Sequence, residues 1–300
     1  MNTRLDDLDG NGRRKETHMK KFTHFILLLL FSILISGCTQ EKPNLEPKQT
    51  NTPLLIEATK EDTDKKIYLF GSIHEADETL YPLPDYVLDA YEKSDAIAVE
   101  LDIVEAESDY ASLLNSFAKF IYTDQKTIKE DISEETYEKG KEILEEAGLY
   151  NFMMDSFKPV IWYMMISNAV SQDIDIDLDG EWGIDNYFLK EAKEDDKKII
   201  ELESADIQFE ILENFTKDLQ IYLLEQTIDS YEDSKEELKE LYKAYKKGNI
   251  ESLEELLFEE VEDSNEEKYI EEFNQKMINR SHITGASFAA MHILWQANHY

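Results

Sequence analysis

The chain has 300 residues, of which 66 are acidic and 31 are Lys or Arg, so its formal net charge is −35. Charge of this sign and size repels nucleic acid phosphates, which excludes nucleic-acid binding as a function class. Hydrophobic residues make up 42% of the chain, including 16 Tyr and 14 Phe, and this is enough apolar volume for a large domain. The single cysteine, Cys38, excludes an intrachain disulfide and a thiolate zinc site.

The beginning of the chain has the organisation of a secretory signal. Met19-Lys20-Lys21 precedes an apolar run from Phe25 to Ile35, which is followed by Ser36-Gly37-Cys38. Charged, apolar and small-residue regions in this order are typical of signal peptides, and the apolar run is too short to span a bilayer comfortably. Residues 34–38 resemble a bacterial lipobox, which predicts that Cys38 is lipidated and becomes the mature N-terminus.

These features predict the organisation of the N-terminal region. Residues 1–18 are interpreted as an upstream extension, residues 19–37 as a lipoprotein signal peptide, and residues 38–53 as the lipidated cysteine with a polar tether. Removal of residues 1–37 leaves 25 basic and 62 acidic side chains, a net charge of −37. We therefore expect an extracytoplasmic protein that is attached to the cell membrane through a lipid on Cys38.

His74 is the only histidine between residues 25 and 281, and it follows a predicted strand. The apolar run Ile67-Tyr68-Leu69-Phe70, closed by Gly71, indicates a buried strand that leads into a loop. A helical stretch separates it from a second apolar run, Ala96-Ile97-Ala98-Val99, which ends in Glu100. Strand, helix and strand predict a parallel crossover unit with both carboxyl ends at one edge. In adjacent strands about 4.8 Å apart, His74 and Glu100 could share a metal ion or a water.

A third apolar run, Ile199-Ile200, leads through Glu201-Leu202 to Glu203 in the same manner. One imidazole and two carboxylates at the ends of three strands are suited to a divalent zinc, manganese or cobalt ion. We therefore predict that His74, Glu100 and Glu203 are metal ligands. Two simpler interpretations stay open: a histidine satisfied by core contacts, and acidic residues that end strands by chance in an acidic chain.

The remaining elements are predicted to be helical. Helical spacing extends from residue 110 to residue 165, with Pro159 starting an apolar segment, and again from residue 207 to residue 224. Acidic helices follow to residue 280, where Ser234-x-x-Glu237 and Ser252-x-x-Glu255 have capping-box spacing and Gly248 separates them as a helix stop. The predicted fold class is α/β, with α+β as the alternative: a mixed sheet with βαβ crossover units, surrounded by helices and a large acidic helical layer.

Two acidic features between residues 175 and 185 have alternative explanations. Asp175-x-Asp177-x-Asp179-Gly180 matches the opening of an EF-hand loop, but Asn186 stands where a bidentate glutamate is required. We therefore favour a plain acidic loop. Asp185 falls in the first turn of a predicted helix, where free backbone amides stabilise a carboxylate, and we favour capping over catalysis for it.

The chain resembles the TraB/GumN family, to which the vertebrate Tiki proteins are related. The resemblance covers roughly residues 65 to 281 and rests on an ordered set of segments. These are Leu69-Phe70-Gly71-Ser72-Ile73-His74, Tyr81-Pro82-Leu83-Pro84, Ala98-Val99-Glu100-Leu101-Asp102, Lys158-Pro159, Gly183-Ile184-Asp185 with Phe188-Leu189 and Ala192, Leu202-Glu203-Ser204 with Gln208, Tyr245-Lys246-Lys247-Gly248-Asn249, and Asn279-Arg280.

The resemblance implies a metal-dependent, peptidase-like hydrolase with two Gly-x-x-His motifs, a glutamate after the second strand and an arginine near the second motif. In this chain those features fall on Gly71 and His74, on Glu100 and on Arg280. The implied cofactor is a divalent metal (Mn, Co or Zn), and the implied substrate is a peptide or another small amide or ester. The alternative is a lipoprotein that sequesters a peptide or pheromone without cleaving it, which fits the pheromone-shutdown role associated with one branch of the family.

The second Gly-x-x-His motif of the family cannot be placed in this sequence. Residues 281–300 contain no Asp, Glu, Lys or Arg, yet they hold His282, His292 and His299, three of the six histidines. Such an abrupt change is typical of an altered reading frame or a premature end. We therefore predict a TraB/GumN-like domain over residues 54–281, an atypical tail over residues 282–300, and impaired activity of the chain as written.

Overall fold

The computed structural model describes residues 51–59, 65–106, 110–123, 125–257 and 267–284. Cys38 and the predicted signal and tether before residue 51 lie outside the described residues, as do His292 and His299. The predictions that concern them therefore stay predictions. Among the described residues, no helix combines the length and the apolar character that crossing a bilayer requires.

Four strands form two small sheets. Strands β1 (Leu55–Thr59) and β2 (Lys66–Phe70) pair antiparallel, with Leu55 opposite Phe70. Strands β3 (Ala96–Val99) and β4 (Lys198–Glu201) pair parallel, with Val99 opposite Glu201. The parallel crossover between β3 and β4 contains several helices, so α/β and α+β descriptions both fit, and the predicted fold class is confirmed.

The expected adjacency of β2 and β3 is wrong, because β2 is hydrogen-bonded to β1 and β3 to β4. Strand β1 was not recognised in the sequence, where only five residues, Leu-Ile-Glu-Ala-Thr, mark it. It lies just before β2 in the chain, so the antiparallel pair closes only a short loop, whereas a parallel partner requires a long crossover. Strand β2 is thus paired with β1, in a sheet separate from that of β3.

Helices make up most of the described chain. They are α1 (Asp85–Lys93), α2 (Ile103–Ala106), α3 (Tyr110–Ala118), α4 (Glu134–Glu146), α5 (Pro159–Gln172), α6 (Ile184–Glu194), α7 (Ala205–Glu213), α8 (Lys217–Asp229), α9 (Tyr231–Lys247), α10 (Ile250–Leu257) and α11 (Glu267–Thr284). Short 3-10 turns occur at Glu78–Leu80, Ile128–Glu130, Met154–Ser156 and Gly180–Trp182.

The larger hydrophobic core surrounds α5. This helix begins at Pro159, as predicted, because proline lacks the N–H that the first helical turn leaves unpaired. Nearly all of its side chains are buried, including Trp162 and Tyr163 at 0% exposure, and α4, α8 and α9 pack around it. The Trp162 Nε1–H donates to the Met154 carbonyl at 2.7 Å. A helix that is apolar on every face must lie at the centre of the helical layer.

A second, smaller hydrophobic core lies apart from the first. It is formed by residues from the segment after β2, from α1, from α6 and from α9, and these are Ala76, Leu80, Leu83, Val87, Ile184, Tyr242 and Tyr245. Two of its members come from the C-terminal half of α9, a helix whose Glu and Lys content predicted a solvated layer. One face of this acidic helix is therefore buried.

The C-terminal end of α9 is closed by residues before β1. Thr52 donates its backbone N–H to the Lys246 carbonyl at 2.7 Å and its hydroxyl to the Lys247 carbonyl at 2.8 Å, which satisfies two carbonyls that a helix end leaves free. Gly248 has a φ of 58°, and a Cβ there would lie 2.1 Å from the Thr52 carbonyl oxygen. The predicted helix stop at Gly248 is thus confirmed.

The two capping boxes predicted near Gly248 are wrong. Helix α9 begins at Tyr231, directly after Ser230, so Ser234 lies inside the helix and is 3% exposed. Ser252 lies inside α10, and the Asn249 side chain accepts from its backbone N–H at 3.3 Å. Both helices start earlier than the Ser-x-x-Glu pattern indicates: α9 follows α8 after Ser230 alone, and α10 begins directly after Asn249, whose side chain accepts from its first turn.

Candidate functional site

His74 lies in the loop of residues 71–77, which follows β2 and is called the His74 loop below. The loop is paired with the segment before α6. Ile184 donates its backbone N–H to the Ile73 carbonyl at 2.8 Å, and Ala76 and Asp179 exchange two backbone hydrogen bonds. These contacts carry the histidine towards the N-terminal end of α6.

Gly183 lies in direct contact with the backbone of the His74 loop. A Cβ at this position would be 2.1 Å from the His74 carbonyl oxygen and 2.8 Å from its carbonyl carbon. Both atoms belong to the main chain, so no side-chain rotation relieves the collision. Glycine is therefore required here for the close approach of the two segments.

Asp185, in the first turn of α6, contacts His74. The His74 Nδ1 lies 2.6 Å from the Asp185 Oδ2, and the two side chains are 10% and 12% exposed. At this distance the two groups form an ion pair when His74 is protonated. On the other side of the ring, the buried Nε2 has no hydrogen-bond partner.

Electrostatics favour the charged form of both groups in the metal-free protein. Burial acts to lower the pKa of His74, but the charge of Asp185, supported by Glu100 and Glu75, outweighs it and raises this pKa to about 9. Burial acts to raise the pKa of Asp185, and the charge of His74 outweighs it and lowers that pKa. A nearly buried imidazolium–carboxylate pair results.

Glu100 directly follows β3, and its partners come from β4 and α7. The parallel β3–β4 pairing continues past the strands, where the Glu203 backbone N–H donates to the Glu100 carbonyl at 2.8 Å. The Gln208 Nε2 donates to the Glu100 Oε1 at 2.8 Å. Glu203 is 7% exposed and Gln208 5%. The structure therefore brings Glu100 and Glu203 together at one strand edge, and the charge of Glu100 acts on His74.

A third carboxyl group, that of Glu75, stands beside His74. Burial raises the pKa of Glu75, against a hydrogen bond from Ser171 on α5 and the charge of His74, and its Oε2 is buried without a hydrogen-bond partner. The charges of Asp185, Glu100 and Glu75 all act on the one imidazole. The site thus contains more acidic than basic groups, which favours a bound cation.

The donor chemistry of the site fits a divalent metal. A histidine that holds a carboxylate at one ring nitrogen and leaves the other nitrogen open has the arrangement of metal-ligating histidines, and nearby carboxylates are suitable further ligands. Within the residues that the structure describes, no group of three or more His, Cys, Asp or Glu side chains is placed so that it could hold a metal ion. The ligand set of His74, Glu100 and Glu203 therefore stays a prediction.

A family model for the TraB/PrgY/gumN family matches residues 54–282. The chain belongs to this family. Its sequence is 30% identical over 149 residues to the "uncharacterized protein YbaP" of Escherichia coli strain K12, covering 50% of this chain and 52% of YbaP. The Shigella flexneri protein of the same description is 31% identical over 145 residues, 48% of this chain and 51% of the relative. The chain therefore spans about half the length of these curated relatives. No solved structure matches the chain.

Arg280, the arginine that the family resemblance implies, falls on α11 (Glu267–Thr284). The position of its side chain lies outside what the structure describes. Helix α11 packs against α7 and α8, and the rings of Phe273 and Phe215 meet at 5.6 Å. The helix that carries Arg280 thus contacts α7, the helix that supplies Gln208 to Glu100.

The sequence interpretation missed three contributors to this TraB-family site. Asp185 was correctly placed in a first helical turn, but its contact with His74 was not foreseen, because the two lie far apart in the chain. Glu75 was overlooked although it directly follows His74. Gln208 was part of the family resemblance without a role, and its signal was a polar residue buried among the apolar positions of α7.

The acidic segment before Gly180 is an acidic loop, as favoured. Asp175 is 82% exposed and pairs with Lys239 at 2.9 Å. Asp179 accepts from the Glu181 backbone N–H at 2.7 Å and caps a short 3-10 turn. Helix α5 ends at Gln172 and is followed by this loop, so the helix that should lead into an EF-hand stops too early.

Proposed function

We propose that this TraB-family chain is a metal-dependent hydrolase of peptides or other small amides or esters, exported and attached to the cell membrane through Cys38. Family membership supports the class of protein. The observation that carries the metal proposal is His74 itself, whose Nδ1 contacts a buried carboxylate while its buried Nε2 is open. An unpaired polar atom in the interior is costly unless a ligand uses it.

In the proposed reaction each residue of the site has a separate role. His74, Glu100 and Glu203 would hold a manganese, cobalt or zinc ion, and Asp185 would keep the imidazole oriented through Nδ1. When bound, such an ion lowers the pKa of a water and polarises a carbonyl oxygen. Glu100 also accepts a proton from the attacking water, while the Gln208 amide fixes the direction of its carboxylate. Arg280 stabilises the charge that develops on the substrate oxygen.

The charge of the site limits the proposed substrates. Three carboxyl groups act on one imidazole, and the whole chain has a net charge of −35. Anionic substrates are therefore repelled, and we propose a neutral or cationic peptide, or a comparable small amide or ester.

Titration of the detergent-solubilised full-length protein with Mn²⁺ alone tests the metal proposal. We expect His74→Ala and Glu100→Gln each to weaken Mn²⁺ binding at least as much as the roughly 10–100-fold that loss of an orienting residue costs. Glu142→Gln, on the exposed side of α4, is the matched control and should bind Mn²⁺ like the original chain. Equal affinity in all four proteins would refute the metal site.

Peptide hydrolysis separates the enzyme from the alternative function. An enzyme should cleave a mixture of short peptides only with added Mn²⁺, and a chelator should stop the cleavage. Retention of a peptide without cleavage, unaffected by chelator, would instead support a lipoprotein that sequesters a peptide or pheromone.

The proposed anchor has an independent test. Growth with a fatty-acid analogue should label the original chain and leave Cys38→Ala unlabelled, because the thiol is the only acceptor that the lipobox offers. The variant should also be lost from the membrane fraction. Labelling that persists in Cys38→Ala would remove the anchor without affecting the metal proposal.

A further inference from the structure

Two tyrosines of α9 contact the two ends of the His74 loop, one before and one after the histidine in sequence. Tyr242 and Tyr245 are 4% and 8% exposed. They are three positions apart on a helix, so their side chains lie on one face. Burial raises the pKa of both phenols, and both therefore remain neutral hydroxyls that can donate a hydrogen bond.

Tyr245 holds the beginning of the His74 loop. Its hydroxyl donates to the Gly71 carbonyl at 2.7 Å. Gly71 also donates its backbone N–H to the Leu54 carbonyl at 3.2 Å, which extends the β1–β2 pairing by one residue. The loop thus leaves the sheet from a residue whose two backbone groups are both fixed.

Tyr242 holds the end of the loop through two hydrogen bonds. Its hydroxyl donates to the Asp77 Oδ1 at 2.7 Å and accepts from the Asp77 backbone N–H at 2.9 Å. Lys246, one turn further along α9, donates to the Thr79 hydroxyl at 2.6 Å and lies 3.4 Å from the Asp77 Oδ1. The residue three positions after His74 is thereby fixed in both main chain and side chain.

We propose that Tyr242 and Tyr245 are positioning residues that fix both ends of the His74 loop and so determine where the open Nε2 of His74 points. The part that concerns metal rests on the proposed function. The part that concerns the loop does not, because it follows from hydrogen bonds between α9 and residues 71 and 77. Only the hydroxyl groups are required, since phenylalanine would preserve the packing of both rings in the smaller core.

Amide hydrogen exchange of the full-length protein tests the loop directly. Tyr245→Phe should accelerate exchange in residues 72–77 by about five-fold, the factor expected for one hydrogen bond of typical net strength. Tyr242→Phe removes two hydrogen bonds and should accelerate this exchange by at least as much. The matched control is Tyr231→Phe in the first turn of α9, which is 6% exposed and whose hydroxyl donates to the Ala169 carbonyl at 3.2 Å. It removes a buried hydroxyl from the same helix away from the loop, so exchange in residues 72–77 should not change.

Titration with Mn²⁺ alone then measures the consequence for the site. We expect both loop variants to weaken Mn²⁺ binding by up to roughly ten-fold, the lower end for residues that act through a ligand, and Tyr231→Phe to bind normally at a similar melting temperature. If the two loop variants exchange faster but the original chain binds no Mn²⁺, the positioning role of the tyrosines is supported and the metal site is refuted. Unchanged exchange in both loop variants would overturn the positioning role, whatever the metal affinity.

Discussion

The two hydrophobic cores of the molecule satisfy their polar groups in different ways. Around α5, the Tyr231 hydroxyl joins α9 to α5 by donating to the Ala169 carbonyl at 3.2 Å, and two other buried hydroxyls bond within their own helical segment. Thr227 donates to the Leu223 carbonyl and Ser230 to the Gln226 carbonyl, each at 2.8 Å. In the smaller core, the Tyr242 and Tyr245 hydroxyls reach across to the His74 loop. Local bonds leave helices free to pack by shape, whereas bonds between segments fix one segment relative to another.

The two regions also differ in how many buried polar atoms lack a hydrogen-bond partner. Buried atoms without a hydrogen-bond partner occur on His74, Glu75, Asp185 and Gln208, in segments that border the smaller core or the ends of β3 and β4, and on Ser167 of α5 in the larger core. The larger core contributes apolar area, and with it most of the stability. The smaller core fixes the His74 loop relative to α9, and the loop carries buried polar atoms without a hydrogen-bond partner, which is unfavourable for stability. Changes in the two regions should therefore have separable effects.

The largest expected loss of stability comes from a substitution in the larger core. Trp162→Ala removes a fully buried ring at the centre of the helical layer and should lower the free energy of unfolding by about 3–5 kcal/mol. Urea denaturation measures the loss. Phe152→Ala is the control, because Phe152 is 84% exposed and its loss should change stability by no more than about 0.5 kcal/mol. Similar losses in both variants would contradict the central place of α5.

The next largest effect compares one glycine from each core. Gly183→Ala forces a Cβ onto the His74 carbonyl and should lower the free energy of unfolding by about 1–3 kcal/mol. Gly140→Ala, in α4, meets only side-chain carbons at 3.0 to 3.4 Å. Alanine also favours the helix by roughly 1 kcal/mol, so this variant should be close to neutral. Thermal unfolding measures the loss of stability in both variants. A larger loss in Gly140→Ala than in Gly183→Ala would refute the close approach of the two segments at Gly183.

The stability that the His74–Asp185 pair contributes to the metal-free protein is smaller and depends on pH. The pKa of His74 is raised to about 9, so its pairing contributes fully below the unfolded value of about 6.5 and is lost as the pH rises towards 9. The pKa of Asp185 is lowered, so its contribution is present above about pH 4 and is lost only in acid. The stability difference between the original chain and Asp185→Asn should therefore shrink between about pH 6 and pH 9. Urea denaturation at both values measures it, and a constant difference would show that His74 is neutral.

The smallest effect compares two lysines of α9. Lys246 contacts Asp77 and Thr79 in the smaller core, and Lys246→Ala should cost about 1 kcal/mol of unfolding free energy. Lys243 pairs with Glu240 on the solvated face, where both side chains are more than half exposed, so Lys243→Ala should have no measurable effect. If urea denaturation shows equal losses of unfolding free energy in the two variants, the solvated face of α9 contributes as much to stability as the buried face.

Much of the fold could be predicted from local patterns. Strands β3 and β4 follow from short apolar runs that end in acidic residues, and their parallel pairing brings Glu100 and Glu203 together as expected. The start of α5 at Pro159 and the end of α9 at Gly248 follow from backbone chemistry that each residue dictates alone. Each of these features is determined by a few neighbouring residues, so it can be predicted from the local sequence.

The contacts that complete the candidate site could not be predicted in this way. Strand β1 has little pattern of its own and is defined by its pairing with β2. The contact of Asp185 with His74 joins distant segments, and a local interpretation detects only the helix turn. In α9 the frequent Glu and Lys residues indicated a solvated helix, and only the spacing of Tyr242 and Tyr245 marked its buried face. Tertiary contact decided each of these positions.

The hydrogen bonds between α9 and the His74 loop also constrain the order of folding. Tyr242 and Tyr245 lie 165 and 174 residues after their partners Asp77 and Gly71, and Thr52 is 195 residues from the Lys247 carbonyl. Contacts of such separation form slowly, because a long loop must close before they stabilise anything. During synthesis the histidine emerges early, and the hydrogen bonds of its loop to α9 can form only after α9 has been made.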